Sequence, residues 1–503
     1  MSDGTLLCSA LVAIMALVVS VTYLILPSGH RASTRKPATA ANALPRSVSP
    51  TTKHEESEET FVGKETTSAY KSTIPVDMPT PPPSPRGESS RRKPSITALI
   101  TNILPSRRGS IASPATSAVG TGELPIFNRS DKEIEAYGDF PDYATLSGVR
   151  LPDPYLEFNI EKALPRPYRP VRWSYHQTMA FWKMEPDWWL ELENTYVERI
   201  HQRKQLFATH GKAVLDSLPG SEAACKETME MTLQFLVARY PQYFSLAHTT
   251  TTTNLASAPD LFINKILGRE FHIREMDPLI VILENVPEDF ALTMQDTDTG
   301  LYGFRAGVIC SSLGWNLGTK LGMTLAEIHA PVPDYKEKLQ PSMDRFFSKL
   351  KPSAPIQRGS WGLEVGEPLF TLPSDLHGPR LSQDPQLTIS DVNLRVDWQT
   401  LRRMPLSGAI VFNFKALFTP VTEFRDEPGI PQIVAKVLRE GKKPMLDYKN
   451  TWHVEHVTLP ALDRWSEEQV QSGLVEREWE VATLEESPLF KGWREKWRHQ
   501  QGF

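Results

Sequence analysis

Cysteine is nearly absent from this 503-residue chain, which has only Cys8, Cys225 and Cys310. Three thiols, the first inside an apolar run, assemble neither a disulfide framework nor a cysteine-based zinc site. The folded part therefore reads as a protein of a reducing compartment. A basic excess is also lacking: Lys and Arg total 55 against 60 Asp and Glu, a formal net charge of −5, which excludes a nucleic-acid binder by charge. No internal repeat is present, and no clear paired-acid metal motif.

Long uncharged apolar stretches are scarce as well, with one exception. Residues 6–26, "LLCSALVAIMALVVSVTYLIL", carry no charge. As a helix rising about 1.5 Å per residue they reach roughly 30 Å, the thickness of a bilayer's hydrocarbon core. A cleaved signal peptide is the competing reading, but it begins with basic residues and has a shorter apolar core, whereas residues 1–5 are acidic. A retained transmembrane anchor is expected. Arg31, Arg35 and Lys36 follow it, and basic flanks stay in the cytosol, so the rest of the chain should face the cytosol. An anchor of this orientation fits the membrane of the endoplasmic reticulum.

Residues 27–125 are crowded with Pro, Ser, Thr and Ala and have few aromatics, so they cannot bury enough apolar surface to offset chain entropy. They read as a disordered tether. Basic clusters beside Ser95 and Ser110 suit anionic lipid or a basic-directed kinase, or are simply solvated. The expected organisation is a short tail (1–5), an anchor (6–26), a linker (27–125) and one folded unit (126–503).

The folded unit reads as α+β, an antiparallel sheet with inserted and flanking helices. Trp189, Leu192, Tyr196 and Ile200 recur at helical spacing after Pro186, and Cys225, Met229, Leu233, Leu236 and Tyr240 do so again. Strands are expected at 279–286, 290–295, 301–312, 357–365 and 409–418, the second and third joined through "DTDTG" as a hairpin. A helix is expected between Asp334 and Leu350.

Chemistry centres on "GTKLGMTLAEIHAPVPDY", residues 318–335. Leu317, Leu321, Leu325 and Ile328 give it a helical apolar face, which must end near Ala330 because Pro331 disfavours helical geometry before it. On one helix, Gly318, Gly322, Leu325 and His329 would share a stripe. A glycine inside a helix costs about 1 kcal/mol relative to alanine, so two on one face call for close approach of something flat. That object is a neighbouring strand, or a planar cofactor whose metal His329 ligates. Cys310 is the alternative iron ligand, or an inert buried thiol. Glu288 and Asp289 in "VPEDF" are candidate general acid or base residues, or a solvated turn. Lys320, Arg358, Arg395, Arg402 and Arg403 suit the propionates of a cofactor or another anion, or surface ion pairs.

The series "VPEDF", "SSLGWNLGTKLGMTLAEIHAPVPDY", "IQRGSWGL" and "LRVDWQTLRRMPLSGAIVFNFKALFTPV" resembles the heme-dependent oxidative N-demethylase alpha-subunit-like family, including its fungal membrane-anchored relatives, over roughly residues 165–445. The resemblance implies a PAS-like sheet enclosing heme b, with His329 as axial ligand and Gly318 and Gly322 leaving room for the porphyrin. It further implies dioxygen-dependent oxidation of a small-molecule substrate, with electrons passed from NAD(P)H through a reductase partner. One departure stands out: an "ERQTL"-like segment is expected where this chain has Asp397, Trp398, Gln399, Thr400 and Leu401, so Trp398 replaces an arginine. Loss of that cation implies a substrate more apolar than a simple dimethylated amine. Two other classes also fit parts of the sequence. A PAS-like heme sensor would signal without turnover, and a lumenal glycosyltransferase would suit an anchor, a stem and the sequon at Asn128. The basic flank after the anchor argues against the second.

Overall fold

A computed structural model of the protein describes residues 129–173, 179–249, 258–374 and 380–503. The expected anchor, the tether with Ser95 and Ser110, and Asn128 lie outside the described residues. Among the described residues, no helix is long and apolar enough to cross a membrane.

The fold is α+β and built on a large antiparallel sheet. Its strands are β1 (Phe181–Lys183), β2 (Leu215–Ser217), β6 (Asp289–Gln295), β7 (Tyr302–Val308), β8 (Ile356–Val365), β9 (Val392–Arg403) and β10 (Ile410–Pro420), in the order β1-β8-β9-β10-β6-β7-β2. A second sheet joins β3 (Phe244–Ala247), β4 (Leu261–Asn264) and β5 (Arg269–His272). The hairpin expected at "DTDTG" is present between β6 and β7, where the Asp296 carboxylate accepts from the Thr299 amide at 2.8 Å and Gly300 takes φ +71°.

Two expectations about helices need correction. Residues 279–286 do not form a strand but a helix, Pro278–Asn285. Asp277 caps it by accepting from the Leu279 amide at 2.7 Å, and Pro278 supplies the preset first-turn geometry. Its apolar residues are buried all round, so no polar period marked it as helical. The helix expected from Pro186 begins only at Tyr196: the chain first makes a 3-10 turn, Pro186–Trp188, then crosses the sheet, where the Glu191 amide donates to Glu288 and the Glu191 carbonyl accepts from Lys415. Side chains from the sheet satisfy backbone groups that a helix would otherwise bond internally.

The main helices are α1 (Tyr196–His210), α2 (Glu222–Arg239), α3 (Pro278–Asn285), α4 (Leu325–His329), α5 (Gln340–Lys349), α6 (Ile430–Glu440), α7 (Lys443–Lys449) and α8 (Trp452–Gln471). Cross-strand register sorts them onto two faces. Ile356, Leu401 and Phe412 align, as do Arg358, Gln399 and Phe414, on the face that α4 and α5 pack against. Trp361, Val396 and Leu417 align on the opposite face, under α6 and α8, while α2 and α3 cover the Phe290 and Leu292 end of that face.

Candidate functional site

The stretch from Leu317 to His329 is not one helix. A 3-10 turn, Leu317–Thr319, is followed by Gly322 at φ +86°, a left-handed conformation open to glycine, and α4 starts afresh at Leu325. Thr324 restarts it with a capping box: its hydroxyl accepts from the Glu327 amide while the Glu327 carboxylate accepts from the Thr324 amide at 2.7 Å. Gly318 and Gly322 therefore do not share a helix stripe with His329. Gly318 is required by its neighbour, since a Cβ there would lie 3.0 Å from Ala213 Cα.

His329 ends α4. Its Nδ1 donates to the Leu325 carbonyl at 2.8 Å. Tyr335 stacks on the ring, with centroids 5.0 Å apart and planes 11° from parallel, and Trp315 leans against it at 5.7 Å. Burial lowers the imidazole's proton affinity below the ordinary histidine range, and the charges of Arg358 and Lys320 lower it further. The ring is thus neutral at pH 7 and carries its proton on Nδ1. Nε2, with its lone pair, has no hydrogen-bond partner among the described residues.

The sheet beneath is incompletely covered. Arg358, Ser360, Gly362, Asp397, Gln399 and Phe412 on the His329 face are only half-buried, whereas Gln357, Trp361, Leu363, Val396, Trp398 and Thr400 on the other face are buried. Lys320 sits 5.1 Å over the Trp315 ring. From α7, Tyr448 takes a hydrogen bond from the Trp315 indole, and Lys449 donates to the Trp361 carbonyl at 2.5 Å. Burial drops the Lys449 ammonium to about 8, with Arg358 adding to the fall and Asp397 opposing it. Two predicted cations, Lys320 and Arg358, are therefore beside His329.

The other predicted residues are elsewhere. Arg395 shares the His329 face but is engaged with Asp397, the Pro368 carbonyl and the Ser311 carbonyl. Arg402 is on the opposite face over the Trp189 ring, and Arg403 is clamped by the Leu350 and Gly408 carbonyls and the Tyr302 hydroxyl. Glu288 and Asp289, neighbours in sequence, point to opposite sides of the sheet and are both buried, not a solvated turn. Asp289 binds Arg203 at 2.5 Å and accepts from the amides of Cys310 and Ser311. Glu288 accepts from Asn413 Nδ2 at 2.8 Å and lines a cavity of about 30 Å³ with Lys415, Arg166 and Trp398, space for one or two waters. Burial raises its carboxyl to about 7, against the pull of Lys415. Cys310 is fully buried, and burial pushes its thiol up to about 12.

Sequence reading missed Trp315 and Tyr335, although both flank the histidine motif, and the alternation of Arg395, Asp397 and Gln399 that marks one face of β9. Tyr448 and Lys449 stand over a hundred residues from His329, and no local pattern connects them to it.

The model of the family Haem-dependent oxidative N-demethylase, alpha subunit-like, matches residues 180–459. The chain belongs to this family. The match takes in the seven-stranded sheet, α1 to α7 and every residue just placed around His329. Membership indicates an oxidoreductase of the oxidative demethylase kind that depends on heme. The residues at hand suit that group: a neutral imidazole whose Nε2 has no partner among the described residues, two aromatic rings packed against it, a half-buried sheet face, and two cations for carboxylate side groups.

Proposed function

We propose that the half-buried sheet face beside α4 holds heme b, with His329 Nε2 as the ligand to its iron. The observation that carries this reading is the bond from His329 Nδ1 to the Leu325 carbonyl, which fixes the tautomer whose Nε2 is free to ligate. The strand order supports it: in β7-β6-β10-β9-β8 the second, first, fifth, fourth and third strands of the central five lie side by side, with the His329 segment inserted between the second and third. That arrangement fits a PAS-like sheet.

Heme, when bound, supplies the redox and dioxygen chemistry. The chain supplies placement. Tyr335 and Trp315 hold the imidazole plane, and Arg358 and Lys320 offer positive charge to propionates. Gln399 and Asp397 present hydrogen-bonding groups on the open floor for a small organic substrate. Glu288 lies on the far face, and the Asp289 carboxylate is taken up by Arg203 and the Cys310 and Ser311 amides, so the acid and base roles expected of them are not part of the proposal. Electrons would arrive from NAD(P)H through a reductase partner, and the anchor at residues 6–26 would hold the site at the cytosolic face of the endoplasmic reticulum.

The test is the absorption spectrum of the purified full-length protein reconstituted with heme, followed by substrate-dependent oxygen consumption across amines and lipophilic compounds with a reductase present. A heme spectrum with an oxidised product supports the proposal. Reversible oxygen binding without product in any case would convert it to a sensor, and absence of heme binding would overturn it. Protease digestion of intact microsomes checks the orientation: a domain protected until detergent is added would place it in the lumen.

A further inference from the structure

Arg402 leaves β9 on the face opposite His329, in line with Trp398 and Thr400. Its residue is 6% exposed and its guanidinium lies 4.1 Å from the centre of the Trp189 ring. It forms no ion pair and donates no side-chain hydrogen bond to any described residue, and its Nε is out of solvent without a partner. Four other buried arginines are matched: Arg169 by Glu427 at 2.6 Å, Arg203 by Asp289, Arg395 by Asp397, and Arg403 by carbonyls.

Carboxylates on the elements packed around Arg402 are engaged elsewhere. Glu227 accepts from the amides of Leu406 and Ser407 and from the Ser407 hydroxyl. Glu230 accepts from the Tyr143 hydroxyl at 2.6 Å and faces Lys226, and Asp187 binds Arg150 at 2.8 Å. A guanidinium stays protonated at neutral pH even here, where burial lowers its proton affinity only to about 10. A buried cation without a counter-charge is strongly unfavourable.

Beside Arg402 is a cavity of about 20 Å³, walled by Tyr143, Ser147, Gln234, Trp189 and Arg150. Arg150, half exposed, also lines it, with its own charge met by Asp187 and Asp153. The Ser147 hydroxyl accepts from the Val149 amide, and its own proton remains to be donated. We propose that this cavity binds a small monovalent anion of chloride size, which supplies the counter-charge Arg402 lacks. The volume admits one or two water-sized species, which suits a small monovalent anion. The site lies on the sheet face opposite His329 and does not depend on heme binding.

The test is thermal unfolding of the full-length protein as sodium chloride replaces sodium gluconate at constant ionic strength. The midpoint should rise by about 2 °C or more as the site fills, and Arg402→Met should abolish that rise. A midpoint indifferent to chloride, or an equal response in Arg402→Met, would overturn the proposal. If Arg402→Met does not fold, crystals of the unaltered protein in bromide decide: an anomalous peak within hydrogen-bond reach of the guanidinium supports the site, and water density alone rejects it.

Discussion

His329 Nδ1 lies 2.8 Å from the carbonyl oxygen of Leu325, one turn earlier in the same five-residue helix. A carbonyl can only accept, so the proton is on Nδ1 and Nε2 is the basic nitrogen. His329→Ala keeps the Thr324 capping box and removes only a half-buried ring from the end of the helix. It should lose the heme absorbance band while changing unfolding free energy by about 1 kcal/mol. Spectroscopy and denaturant titration on one sample separate the two effects, and an unchanged heme spectrum would remove the ligand role.

The same ring predicts a pH dependence. Burial, reinforced by Arg358 and Lys320, holds His329 below its ordinary value of 6.5. A lowered histidine favours the neutral form in the folded state, so its contribution is present above pH 6.5 and is lost as pH falls through the folded value. Heme occupancy should be flat above pH 6.5 and fall on acidification, because a proton on Nε2 competes with iron. Absorbance followed from pH 8 downward measures this, and a loss beginning on the alkaline side would contradict it.

Much of the sheet was legible because β6, β7, β8 and β10 carry β-branched and aromatic runs bounded by turn residues. The twelve-residue β9 does not read as a strand from its sequence. Its Arg395, Asp397 and Gln399 look like a solvated stretch, yet Arg395 is buried by bonds to carbonyls from distant loops. The helix at 278–285 was misread because a short run buried on every side shows neither a helical nor a strand period. At the site, His329, Lys320 and Arg358 were singled out and lie together. The glycine stripe failed: periodicity counted through residues 317–329 cannot see that Gly322 turns left-handed and that Thr324 caps a new helix.

Asp289 is a structural anchor. Its carboxylate meets Arg203 at 2.5 Å, both side chains are essentially out of solvent, and two amides of the Cys310–Ser311 segment complete its bonds. Asp289→Ala leaves Arg203 buried without its counter-charge, and about 3–5 kcal/mol of stability should be lost. Urea unfolding checks this. A change under about 1 kcal/mol would show that water or another carboxylate replaces the partner.

Glu288 predicts the opposite pH trend from His329. Its folded value is raised from 4.5 to about 7 by burial, so the fold favours the protonated acid. That contribution is complete below pH 4.5 and is lost as pH rises through about 7, up to roughly 3 kcal/mol. Glu288→Gln should flatten the stability profile in this window and gain on the unaltered protein toward pH 8. Flattening will be partial, since burial also raises Glu230 to about 7. Thermal midpoints at several pH values test it, and identical slopes in both proteins would refute the titration of Glu288 there.

Trp398 stands where the family resemblance leads one to expect an arginine, and its position decides what that replacement does. Its ring stacks on Tyr168 with centroids 3.7 Å apart and planes 5° from parallel, on the sheet face opposite His329. It also closes over Gly359, where a Cβ would come 3.1 Å from Trp398 Cε3 and 2.8 Å from Pro170. The aromatic side chain therefore packs the core between β8, β9 and the Tyr168 segment, on the sheet face away from His329. It gives no support to a preference for apolar substrates. Trp398→Ala should lower stability by about 3–5 kcal/mol through the cavity it leaves and the lost stacking. The heme spectrum and the KM for any substrate the enzyme oxidises should stay within about twofold, because the altered surface faces away from His329. Unfolding free energy and steady-state oxygen consumption, measured on the same variant, separate the outcomes. A variant of normal stability with a strongly changed KM would put Trp398 at the substrate and would require the heme site to lie on the other face of the sheet.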